Sequence, residues 1–156
     1  NKTHFNPNEV AKEIFLKKKS NFIEEKYLVG DCFLVNRKLI EKIGYFDCFS
    51  FKDYFADVDF SCRAKALDFK CVLSQGAFCF HHKHTNFDYL PINEKKEKMK
   101  RRQYFIAEDW ARFKLKYKFP NNLVFPGINE LNFDEIKNKV DKKKVVKKKD
   151  YSHYLI

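Results

Sequence analysis

A chain of 156 residues with 44% hydrophobic and 17% aromatic residues, Phe alone counting 18, can bury a core and is not a disordered tail. Its formal net charge of +11 points to an anionic partner: nucleic acid, phospholipid headgroups or a phosphorylated substrate. Five cysteines, odd in number and without a C-x-x-C pair, argue for a reducing compartment and against a disulfide framework or a zinc ribbon.

No signal peptide is recognisable and no apolar run approaches the ~20 residues of a membrane span. The expectation is a cytoplasmic protein, at most peripheral at a membrane. Asn1 is not an initiator Met, which suggests a piece of a longer chain.

In chain order, residues 8–17 read as a short helix started by Pro7 and Asn8, followed by a polar break at 18–21. Residues 27–35 are apolar at almost every position and read as a strand buried on both faces. Gly30 inside it suggests a bulge or close approach of a ligand to backbone. Asn36 is a candidate cap for a two-turn helix over 37–43, and Gly44 stands where a left-handed residue ends it. Residues 45–55 form an aromatic loop dense in Asp, whose aromatics are expected at the surface and in use.

From Asp57 to Leu67 the pattern is helical, with Phe60, Ala64 and Leu67 on one face and Asp59 facing Arg63 one turn on. Asp57 then lies near the N-terminus, where negative charge is favoured by the unpaired amides. Asp68 occupies the place of a terminating Gly. Short strands are expected at 69–73 and 77–81, joined by a Gln75-Gly76 turn. Pro91 opens a long helix reaching Tyr117, with Met99, Ile106, Trp110, Phe113 and Tyr117 as its apolar stripe. Asn132 to Glu135 has the form of a capping box for a last helix carrying Phe133, Ile136 and Val140 inward. Six lysines crowd residues 142–149, a run that most simply is a solvated face.

Four fragments stand in order: Gly30-Asp31-Cys32-Phe33-Leu34-Val35-Asn36-Arg37, Ile43-Gly44-Tyr45-Phe46-Asp47, Ala56-Asp57-Val58-Asp59-Phe60-Ser61-Cys62-Arg63, and Ala77-Phe78-Cys79-Phe80-His81. Together they resemble the C-terminal, acceptor-side half of family 2 glycosyltransferases of the GT-A fold. That family has a Gly-containing strand ending in Arg, then Gly-x-Phe-Asp, Glu-Asp-x-Asp-x-x-x-Arg, and a strand ending in His. The resemblance spans roughly residues 27–85, and the Trp110 helix is similar to the segment that follows the catalytic domain.

The resemblance implies an α/β fold: a partial GT-A, Rossmann-like half-domain over 1–90, with a small mixed sheet, and a helical, basic C-terminal extension over 91–156 packed on it. It implies sugar transfer with inversion from a nucleotide-sugar donor to a hydroxyl on a saccharide, lipid-linked or protein acceptor. Asp57 takes the place of the catalytic base. Gly30, Asp47, Asp59 and Arg63 take substrate-side places, and His81 that of the His approaching the metal or diphosphate. The cofactor implied is a divalent cation, Mg or Mn, held mainly by the donor half, whose βαβ units and Asp-x-Asp motif would precede residue 1. Ala56 departs from the family's Glu.

Simpler readings stand beside these. Asp59 with Arg63 is an ordinary helix ion pair, and Gly30 and Gly44 answer backbone needs. His81, His82 and His84 beside Cys79 lack a second cysteine at zinc-ligand spacing. The rival function is a catalytically inactive basic scaffold, docking acidic membrane through residues 137–149 or binding nucleic acid. Nucleic acid is disfavoured, since the aromatics fall on apolar faces and no RNP, KH or zinc-finger pattern is present.

Overall fold

A computed structural model describes residues 6–80 and 90–142. Among them are five α-helices and one two-stranded antiparallel sheet, a mixed α/β architecture. Helix α1 (Pro7–Lys18) is capped by the Asn6 side chain, which accepts the Asn8 amide, and Pro at its first position needs no donor. It buries no residue.

Strand β1 (Phe22–Glu25) pairs with β2 (Cys71–Ser74) in the register Phe22 with Ser74 through Glu25 with Cys71. The expected strand at 69–73 is thus present, displaced towards Ser74, but its partner lies in residues 22–25, to which the sequence assigned no element. Residues 77–80 are not a strand. The reason lies at the turn. Gly76 is pressed against the end of α1, where an added Cβ would meet the Lys19 Cα at 2.5 Å, and the Gln75 amide donates to the Asn21 carbonyl at 2.9 Å. The ladder therefore extends towards β1 rather than folding back on itself.

Helix α2 (Arg37–Ile43) starts at the Asn36 cap and stops at Gly44, whose φ of 79° is positive as expected but whose ψ of −172° is extended rather than left-handed helical. Helix α3 (Ala56–Ala66) is the buried centre, with Val58 to Ala64 all buried and Asp68 left-handed just beyond it at φ 63°. Helix α4 (Ile92–Lys116) matches the long helix foreseen from Pro91. A short 3-10 turn at Ile128–Glu130 leads to α5 (Phe133–Lys139), whose Asn132 cap accepts the Glu135 amide at 3.2 Å.

The main core joins Phe51, Phe55, Val58 and Cys62 to Trp110, Phe113 and Tyr117 of the α4 end and to Leu131, Phe133 and Ile136. A second cluster packs Leu39 and Ile43 of α2 against Phe60 and Ala64 of α3. Phe51 and Phe55 are core residues, contrary to the expectation that the 45–55 aromatics face water. Tyr45 and Phe49 of the same loop are exposed. Of the α4 stripe, Trp110, Phe113 and Tyr117 are buried and Met99 is exposed. All five cysteines are free thiols, and burial pushes Cys62 and Cys71 above the ordinary thiol range. No helix among the described residues is long and apolar enough to cross a membrane.

Candidate functional site

The entrance to α3 is held from α4. Asp109 is fully buried, and its carboxylate accepts three successive amides: Lys52 and Asp53 at 3.0 to 3.2 Å and Tyr54 at 2.9 Å. Arg112 stands beside it at 3.3 Å and also reaches the Ser50 carbonyl. A buried carboxylate without donors would be costly, so the loop is pulled onto it. Phe55 then turns into α3 at φ 66°, a conformation a bulky residue rarely adopts. Its ring fixes that turn by packing within 5.7 Å of Trp110, 5.2 Å of Phe113 and 5.4 Å of Phe125, centroid to centroid.

One residue into the helix, Asp57 directs Oδ1 to the Val58 amide at 2.8 Å and Oδ2 to the Gly30 amide at 2.9 Å. The side chain is half-buried, and these two bonds occupy half of the about four acceptor positions of a carboxylate. An added Cβ on Gly30 would lie 3.3 Å from Asp57 Oδ2. The group close to Gly30 is thus the Asp57 side chain of the same chain, where the sequence suggested a bulge or a ligand. Ser61, one turn on, accepts the Leu28 amide at 2.8 Å and donates to the Asp57 carbonyl at 2.8 Å. The amides of Leu28 and Gly30 therefore go to side chains of α3. That is why residues 27–35, expected as a strand, run as an irregular connection against the helix. Tyr27 stacks on Phe133 and donates to Asn129, and burial, then the negative charge of Asp57, raises its phenol above the usual range.

A second carboxylate cluster lies deeper. Asp59 is fully buried; its Oδ2 accepts Arg63 Nε at 2.8 Å, and its Oδ1 accepts the Tyr117 hydroxyl at 2.8 Å and meets Lys116 Nζ at 2.5 Å. Arg63 spends its other nitrogens on the carbonyls of Ile43 at 2.7 Å and Tyr45 at 2.9 Å, closing the end of α2. Lys116 also reaches Asp47 at 2.8 Å, and Asp47 takes both the amide and the hydroxyl of Ser50. Burial works against the Asp47 charge, but Lys116 and the two Ser50 bonds outweigh it and hold the carboxyl well below the ordinary range. Tyr117 is pushed far up, by burial first and then by the negative charge of Asp59.

The sequence-derived site residues thus fall into two groups. Gly30 and Asp57 meet at a partly open corner, whereas Asp59, Arg63 and Asp47 tie α2, α3 and α4 together in a network that leaves no buried side-chain polar atom among the described residues unpaired. His81 lies outside the described residues. Among those described, no three His, Cys, Asp or Glu side chains come together as a metal site. Asp109, Ser61 and Lys116 were not singled out from the sequence. A signal existed for Asp109 only: an acidic residue adjoining Trp110 beside an apolar stripe, where charge needs a partner.

Comparison of the chain with protein-family models, with curated proteins and with solved structures gave no match.

Proposed function

We propose that this chain is the acceptor-side part of an inverting glycosyltransferase resembling family 2 of the GT-A fold, with Asp57 as its base. The observation that carries the reading is convergence. Three of the resembling fragments, separate in sequence, meet around α3: Gly30 on Asp57, the Ile43 and Tyr45 carbonyls on Arg63, and Asp47 with Asp59 through Lys116 of α4.

In this reading an acceptor hydroxyl, on a saccharide, lipid-linked or protein acceptor, approaches the open side of Asp57. The carboxylate takes the hydroxyl proton as the acceptor oxygen bonds to the anomeric carbon of a nucleotide-sugar. The bond from that carbon to the diphosphate oxygen breaks with inversion, and the nucleoside diphosphate leaves. Gly30 and Val58 hold both carboxylate oxygens from their amides, and Asp109 fixes the loop that delivers the helix start. The resemblance also implies a divalent cation to offset the diphosphate charge, with His81 near it; no step above is routed through that ion.

The test is an assay of the protein carrying this chain against a panel of nucleotide-sugars and hydroxyl acceptors. It follows nucleoside diphosphate release and the anomeric configuration of the product by NMR. A product of inverted configuration supports the reading. Turnover with retention, or no turnover with any donor, contradicts it.

A further inference from the structure

The buried residues of α4 are Asp109, Trp110 and Phe113, all in its second half. The first half, residues 92–105, is a helical arm of about 20 Å at 1.5 Å per residue, leaving the core beside the 53–54 loop. It carries six Lys or Arg against two Glu. The face that buries Trp110 continues along this arm as Ile92, 74% exposed, and Met99, 56% exposed, and Tyr104 is 65% exposed on another side. An open trough of about 1240 Å³ follows the arm; its walls hold Tyr54 and Phe105, with four Lys or Arg, Arg101 and Arg102 among them, against three Asp or Glu. Two aromatic rings steady its guanidinium groups: Arg102 lies 5.8 Å from the Tyr54 ring centre and Arg101 5.4 Å from that of Phe105.

We propose that residues 92–105, with Tyr54, form a docking surface for an anionic lipid bilayer. Charge complementarity selects an anionic partner, and the exposed aliphatic side chains select among anionic partners. Ile92 and Met99 standing beside lysines give a bilayer something to take up at the headgroup and acyl boundary. A nucleic acid would neutralise the cations but gain nothing from those two side chains. The surface is separate in sequence from the lysine run at 142–149, and it does not depend on sugar transfer. If the transferase reading also holds, Arg102 on Tyr54 places the Asp57 corner beside the membrane, where a lipid-linked acceptor presents its hydroxyl.

The experiment is co-sedimentation of the full chain with phosphatidylcholine vesicles, with and without phosphatidylglycerol, at low and high salt. Binding should require phosphatidylglycerol and weaken with salt. Combined Lys98→Glu, Arg101→Glu and Arg102→Glu should reduce it by at least about tenfold. Combined Ile92→Ser and Met99→Ser should reduce it several-fold, with helical circular dichroism unchanged in both variants. Combined Lys142→Glu and Lys143→Glu should leave it largely intact. The proposal is overturned by equal binding to neutral vesicles, by retained binding in the arm charge variant, or by loss in the Lys142/Lys143 variant alone. Tighter binding of an RNA oligonucleotide that the Ile92/Met99 variant keeps in full would also overturn it.

Discussion

The Asp57 carboxylate accepts the Gly30 amide at 2.9 Å, so the head of α3 is aimed by a residue 27 positions earlier in the chain. Gly30 needs no special backbone conformation to do this; what matters is the space at its Cα. A methyl group there would sit 3.3 Å from Asp57 Oδ2 and push the carboxylate by a few tenths of an ångström. Gly30→Ala should leave the melting temperature nearly unchanged. Under the proposed transferase reading it should lower kcat on the order of tenfold, since small misplacements of a reacting group are costly. Paired thermal melts and turnover assays check this.

Asp109 is the main structural anchor of the same corner. Replacing it with Ala removes the acceptor for the amides of Lys52, Asp53 and Tyr54 and leaves Arg112 without one of its carboxylate partners. The expected loss is about 3 kcal/mol. Urea unfolding followed by fluorescence reads it directly, because Trp110 is the sole tryptophan and lies next to the lost carboxylate.

Arg63 and Asp59 should behave as one unit. Arg63→Met leaves a fully buried Asp59 with one fewer cation and uncaps the Ile43 and Tyr45 carbonyls, costing about 3 to 5 kcal/mol. Asp59→Asn should also destabilise, but the double variant should lose clearly less than the two single losses combined. Simple additivity in denaturant melts would show that the two side chains do not share a network.

The Asp47 carboxyl is held below its ordinary value, and the sign of its pH effect follows. Its contribution is complete above the unfolded value of about 3.9 and disappears as pH falls through the lower folded value. Wild-type stability should therefore drop on acidification below about pH 4 more steeply than that of Asp47→Asn. Parallel acid slopes for the two proteins would refute the Lys116–Asp47 linkage.

The helices were legible in the sequence because their signals are local. Asn36 and Asn132 cap, Gly44 stops, and Trp110, Phe113 and Tyr117 repeat at helical spacing; each does in the fold what its pattern suggests. Residues 27–35 misled because an unbroken apolar run is the mark of a buried strand, yet the amides of Leu28 and Gly30 are taken by Ser61 and Asp57, and no local pattern reports that. Strand β1 was invisible for the converse reason: four residues pairing with a segment about fifty positions away carry little signal of their own. At the site, Asp57 and Gly30 could be named separately but not their contact. Asp109 could be suspected from its place beside Trp110, but not its partners, because they are backbone amides in a loop, which any sequence could supply.

The central claim rests on Asp57 as the group that takes the acceptor proton, and Asp57→Asn tests it most directly. The amide keeps the size of the side chain and one oxygen for the Gly30 amide but turns its NH2 towards the Val58 amide, so unfolding should shift by only about 1 kcal/mol. Measured in the protein carrying this chain, kcat for sugar transfer should fall on the order of 10² to 10⁴-fold, the usual contribution of a general base. A folded Asp57→Asn variant that transfers sugar at the wild-type rate would contradict it.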